Sequence, residues 1–241
     1  MKLLLLLFLI TTSAFAKGIS HSCSNDKTIS HNFYDLCYNY KFRLTKWSSY
    51  TLTDNMLKGK TKRTNNFKPD PYLAKTELPT TSNDYKYTGY DRGHLVPAAD
   101  MKISLKAMNE SFYMTNMAPQ VPSFNRGIWK KLENQVRRIA KVEKKIYVIT
   151  GPIFNFKKKY LKKDKKLFIP KQFYKIIYID HAKYPKMIAF LLDNTKSNRH
   201  IDEYIVTVDK IEKLTGIDFF QGMNNKLEDN LESSVEQLTW K

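Results

Sequence analysis

Asp91-Arg92-Gly93-His94 sets an acid, a cation, a flexible backbone position and a titratable base side by side. Asn125, Glu133 and Arg137 follow further along the chain. These residue types match the needs of phosphodiester hydrolysis: a water must be deprotonated, charge on phosphorus stabilised and the leaving oxygen neutralised. A histidine with an ordinary pKa of about 6.5 is mostly a free base at neutral pH, so His94 is the candidate general base. Arginines suit phosphate oxygens through planar, permanently charged donors. A hard cation such as Mg²⁺ takes oxygen ligands and keeps several waters, so an Asn125 amide oxygen with Glu133 beside it makes a minimal site. A plainer reading stands beside this one. Asn125 caps a helix, and Glu133 with Arg137 makes a weak i,i+4 surface pair worth tenths of a kcal/mol.

The elements that must position these residues are partly visible. Ile128, Trp129, Leu132, Val136 and Ile139 recur at helical spacing, which predicts a helix over 125–140. Alternation of Tyr38, Tyr40, Phe42 and Leu44 predicts a strand within 38–52. Residues 53–84 read as a long loop, and 17–37 as an irregular N-terminal arm. Ser104 precedes a short helical pattern. Phe112-Tyr113-Met114 reads as a buried strand leading to Asn116. Residues 146–150, 173–179 and 187–192 are further strand candidates.

With 241 residues, 42% of them hydrophobic, the chain can bury a substantial core. The net charge of +18 favours an anionic partner, although a solvated lysine-rich surface gives the same count. Lys2, the apolar run Leu3–Ile10 and Ala14-Phe15-Ala16 form a secretory signal pattern cut after Ala16, with an uncleaved anchor as the alternative. Cys23 and Cys37, the two cysteines, are read as a disulfide in an exported protein, two free thiols being the alternative. His21, His31, His181 and His200 are expected at the surface. No Cys-x-x-Cys, His-x-x-x-His, Gly-x-Ser-x-Gly or phosphate-cradling glycine loop is present. The lysine run over 157–166 reads as a solvated loop, and Glu228 to Glu236 as an acidic surface tail.

Asp91-Arg92-Gly93-His94, the segment Phe112 to Gln120 and the run Asn125 to Glu133 with Arg137 behind it together resemble the DNA/RNA non-specific endonucleases. Thr150-Gly151-Pro152 and Thr215 to Phe220 resemble later segments of that family, and the likeness runs over residues 38–222. The resemblance implies an α+β chain of the ββα-metal (His-Me finger) fold, with a central, mainly antiparallel sheet flanked by helices. Residues 1–16 would be the signal peptide and 17–241 a single nuclease domain. It implies His94 as general base, Asn125 as the direct protein ligand of Mg²⁺, and Glu133 as the group fixing the waters around it. Mn²⁺ is a plausible substitute.

Arg137 would contact phosphate near the leaving group, and Arg92 and Asn116 would support the catalytic set. Arg63, within Arg63-Thr64-Asn65-Asn66-Phe67, matches an upstream arginine motif of the endonuclease G branch and would be a further phosphate contact. Asp91 would orient its neighbours. Arg126, where relatives often carry Gln, adds charge. The expected activity is hydrolysis of DNA and RNA to 5′-phosphate and 3′-hydroxyl ends, weakened by salt and by pH falling through the His94 pKa. Expected partners are nucleic acids, with a protein inhibitor left open, as is monomer versus homodimer; no membrane role is expected. A non-catalytic, secreted, cationic nucleic-acid-binding protein is the competing reading. A toxin-type nuclease is a third.

Overall fold

The computed structural model describes residues 21–24, 26–73, 79–154, 159–161, 167–181 and 184–236. Its centre is an antiparallel sheet of β1 (Lys27–Ser30), β2 (Asp35–Asn39), β3 (Leu44–Thr53), β6 (Lys145–Pro152), β7 (Gln172–Ile179), β8 (Lys186–Asp193) and β9 (Ile205–Val206), in that spatial order. A separate two-stranded ribbon pairs β4 (Asp91–His94) with β5 (Met117–Gln120).

Period-2 alternation lets both faces of the sheet bury apolar side chains. Ile146, Val148, Phe173, Ile177, Ile188 and Phe190 face one core, and Ile149, Tyr174, Ile176, Met187 and Ala189 face the other. On the first face lies α3 (Lys130–Glu143), whose stripe of Leu132, Val136 and Ile139 is buried just behind Ile128 and Trp129. On the second lie α4 (Val208–Thr215) and α5 (Asn225–Glu232), through Val208, Ile211 and Leu231. This is the expected central antiparallel sheet with helices on its faces.

Several expectations are corrected. The run 38–52 is not one strand: it bends at Tyr40–Arg43, so Tyr38 ends β2 and Leu44 starts β3. Arg43 takes positive φ at this turn (54°). The supposed N-terminal arm contributes β1 and β2, because Ile29 and Leu36 find a core against β3. Phe112-Tyr113-Met114 is not a strand. Tyr113 makes one bridge to Lys68, with Lys68 N donating to Phe112 O (3.3 Å) and Met114 N to Lys68 O (3.0 Å). That bridge anchors the loop after α1 (Asp54–Leu57) and lays Phe67 against Phe112. The acidic stretch from Glu228 is mostly helix α5, with Glu232 buried, rather than a tail. The short helix behind Ser104 forms as α2 (Leu105–Glu110), capped by the Ser104 hydroxyl. Most of the lysine run, and all of residues 1–16, lie outside the described residues.

Cys23 and Cys37 are bonded, tying the segment before β1 to β2. Closing a loop of this size stabilises by roughly 3 kcal/mol in the chain-entropy model. Reduction is therefore expected to lower the unfolding free energy by about that amount, seen as a lower urea midpoint. An unchanged midpoint in fully reduced protein would assign the bridge no stabilising role.

Candidate active site

The ribbon β4–β5 runs directly into a turn over Phe124–Trp129 and then α3, giving a strand–strand–helix unit. Asp91 pairs with Gln120, and His94 with Met117. A Cβ on Gly93 would collide with the Gln120 side chain, which would have to move. The turn breaks at Gly127 before α3 begins.

His94 is 8% exposed, with its ring edge-on to Phe112 (centroids 5.0 Å apart) and near Phe67 (6.0 Å). Arg92 stacks on Phe67 at 4.1 Å and also donates to Ser82 Oγ, while Arg63 stacks on Phe112 at 4.8 Å. Two aromatic rings thus carry two guanidinium groups beside one imidazole. Burial, then the charges of Arg63 and Arg92, pushes the His94 pKa down from 6.5 to about 3. Nε2 is enclosed without a hydrogen-bond partner.

Asn125 does not cap a helix with its side chain. Its Nδ2 donates to Asp91 Oδ2 at 2.8 Å, and Arg126 clasps the same carboxylate through Nε (2.9 Å) and a terminal nitrogen (2.7 Å). Burial raises the Asp91 pKa, but these hydrogen bonds and the charge of Arg92 outweigh it and hold the carboxylate below its ordinary range. Because the amide nitrogen is committed to Asp91, Oδ1 is the end available to a cation. The extra charge at Arg126 is thereby spent on Asp91.

Glu133 and Arg137 do not form a simple surface pair. Arg137 donates to Asp100 Oδ1 (2.8 Å) and Asn134 Oδ1 (2.6 Å), and Asp100 also accepts from Tyr50 (2.7 Å). Burial raises the Glu133 pKa; Lys175 is the strongest opposing charge, and Asp100, Arg137 and Arg63 also act on it. Lys175 is fully buried, with its ammonium 4.9 Å from the Trp129 ring centre. Arg63 is felt by both His94 and Glu133, so the ribbon, the loop and α3 converge. One amide oxygen and one carboxylate, with no sulfur or imidazole ligand, fit a hard divalent cation. The three-carboxylate cluster found among the described residues, Asp209, Glu212 and Glu232, lies instead on α4 and α5.

Asn116, expected among the catalytic set in a supporting role, is engaged in three hydrogen bonds to backbone. Its Nδ2 donates to Val96 O (2.9 Å) and Ser111 O (2.8 Å), and its Oδ1 accepts from Val96 N (2.9 Å). Fully buried and so engaged, its amide locks the chain just after His94. Two histidines are not at the surface as expected. His21 is buried among Trp47, Tyr147, Phe219 and Phe220, and His31 pairs with Asp70 at 2.9 Å. Asp100 and Lys175 escaped sequence reasoning, and Phe67, Phe112 and Gln120 were legible there only as motif positions; Lys175 stands out as a cation inside an apolar strand.

Ribbon, kinked turn and helix beneath an antiparallel sheet define the ββα-metal nuclease fold. Residues 11–226 match the family described as DNA/RNA non-specific endonuclease. A nuclease of Nostoc sp. is 32% identical over 215 residues, covering 85% of this chain and 77% of that protein. Mitochondrial endonuclease G of Caenorhabditis elegans is 33% identical over 208 residues, covering 79% and 67%. The crystal structure of the EndoG/EndoGI complex superposes with a TM-score of 0.72 at 29% identity, covering 83% of this chain and 88% of that one. The chain belongs to the DNA/RNA non-specific endonuclease family.

The depressed His94 pKa has a measurable consequence. Below pH 6.5 the unfolded chain protonates this histidine, while the folded site refuses the proton until about pH 3. Stability is therefore lost as pH falls through that window, His94 alone contributing up to about 1.4 kcal/mol per pH unit. In urea unfolding between pH 7 and pH 4, the gap between wild type and His94→Gln should change with pH in that sense. A gap independent of pH would place the His94 pKa near its ordinary value. The expected acid limb of free-enzyme activity moves correspondingly below pH 6.5.

Proposed function

We propose that the chain is a divalent-metal-dependent endonuclease that hydrolyses phosphodiester bonds of both DNA and RNA. The observation that carries this reading is a neutral imidazole flanked by two ring-supported guanidiniums, on the same strand as the Asp91 that fixes the Asn125 amide. Arg63 and Arg92 bind the phosphate and hold phosphorus beside His94. His94 takes a proton from the attacking water as its oxygen bonds to phosphorus. The P–O bond to the 3′ oxygen breaks, leaving 5′-phosphate and 3′-hydroxyl ends. Arg137, steadied by Asp100, stabilises charge on the leaving side. Mg²⁺, or Mn²⁺ in its place, would be held by Asn125 with Glu133 ordering its waters, and would supply charge neutralisation at the phosphate. Contacts to phosphate rather than to base edges account for a lack of sequence and sugar preference.

Export is part of the proposal, supported by the signal pattern in residues 1–16 and the Cys23–Cys37 bridge. The relative solved with its inhibitor supports a protein inhibitor as a partner here too. No helix among the described residues is long and apolar enough to cross a membrane.

His94→Ala is expected to lower plasmid and RNA cleavage by about 10²–10⁴-fold in Mg²⁺ while nucleic-acid binding persists. Wild type that binds but never cuts with any divalent metal would leave the non-catalytic binding reading standing. Asp91→Asn should raise the Mg²⁺ concentration needed for half-maximal activity by about 10–100-fold, with the rate recovering at high Mg²⁺. An unchanged Mg²⁺ dependence would remove Asp91 from the positioning of Asn125.

A further inference from the structure

Away from the ββα unit, on the opposite face of the sheet, α4 and α5 bring three carboxylates together. Asp209 and Glu212 stand at i,i+3 on α4, and Glu232 in the last turn of α5. One oxygen from each lies within 4.8 Å of the other two. Glu232 is 5% exposed, and its Oε1 is buried without a hydrogen-bond partner. Glu212 gives one oxygen, Oε1, to Phe219 N (2.7 Å), keeping the other for a ligand. Glu228 and Asp218 add to the same field, since both raise the Glu212 pKa behind the dominant effect of burial.

This arrangement is unfavourable by itself. Like charges so close repel, and an acid at a helix C-terminus opposes the helix dipole. The last turn of α5 holds no basic residue to offset either effect. Burial, followed by Glu212, Glu228, Asp209 and Asp218, pushes the Glu232 carboxyl up to about 8. In a chain of net charge +18, lysines are abundant, yet among the described residues none forms an ion pair with these three groups.

We propose that Asp209, Glu212 and Glu232 form a second divalent-cation site, of the all-oxygen class that takes Ca²⁺, which ties α5 to α4. Three carboxylates with no sulfur or imidazole among them suit a hard cation, and Ca²⁺ accepts an irregular set of six to eight oxygens, whereas Mg²⁺ demands near-ideal octahedral geometry and keeps its waters. The proposal is independent of the catalytic reading, since none of these residues belongs to the ββα unit.

The test uses full-length protein stripped of metal with chelator and titrated with CaCl₂ alone, followed by calorimetry and thermal unfolding. One Ca²⁺ should bind. At about a hundredfold excess over Kd the melting temperature should rise by about 5–10 °C. Asp209→Asn changes an exposed side chain and should fold normally. It and Glu232→Gln should each weaken Ca²⁺ binding by about tenfold or more. Asn125→Ala should keep the Ca²⁺-induced rise. Failure of millimolar Ca²⁺ to bind or to move the melting temperature overturns the proposal. So does wild-type Ca²⁺ affinity in both carboxylate variants, or loss of the rise in Asn125→Ala alone.

Discussion

The Asp91 carboxylate is the contact on which the arrangement of the site depends. It joins the first strand of the ribbon to the turn before α3, through Asn125 on one oxygen and Arg126 on both. The Arg126 contact is exposed at the arginine and contributes little stability. Its value is geometric. An amide has two chemically different ends, and a carboxylate can accept only from the nitrogen end. Fixing Nδ2 on Asp91 therefore decides which way the Asn125 oxygen points. In the strand register that brings Asp91 to this spot, a side chain at Gly93 would strike Gln120.

The state of His94 follows from the same packing. Seated against Phe112 and Phe67, and flanked by Arg63 and Arg92, the ring cannot afford a proton in the free protein. That guarantees an unprotonated nitrogen at neutral pH, but a pKa near 3 makes a weak base. An arriving phosphate changes both influences of the arginines. Its negative charge would offset the guanidiniums and favour the imidazolium directly, so His94 would become more basic with phosphate bound. On the proposed function, the two arginines would bind phosphate and hold the base in reserve until phosphate is there.

How much of this was legible in the sequence differs from residue to residue. The stripe on α3 and the strands β6, β7 and β8 were readable because their periodicity reflects one buried face or two. The strand break at Tyr40–Arg43 was not, because the aromatic alternation runs straight through the turn. His94, Asn125 and the arginines were legible from residue type and motif. Their roles as partners were not. Arg137 sits four residues from Glu133, which spells a helix-surface pair, yet it bonds to Asp100 from a distant 3₁₀ turn. Asn116 was legible only as a motif position in a supporting role; its three hydrogen bonds to backbone show how the support is given. Long-range partners of this kind leave no local spacing to read.

Lys175 extends that point into the core. Strand alternation places it on the same face as Phe173 and Ile177, an apolar surface under α3. A lone buried ammonium there would be costly, and its pKa is lowered by that burial. Glu133 is the strongest of the charges that favour its protonated form, and Lys175 is in turn the strongest charge keeping Glu133 ionised. Asp100 and Arg137 complete a set of two acids and two bases around the start of α3. Such buried sets are weak sources of stability, because desolvation takes back most of the attraction. Lys175 Nζ is buried without a hydrogen-bond partner, so Glu133 acts on it through charge alone. The central sheet therefore does more than support the helix: through one lysine it favours the ionised form of an acid on α3.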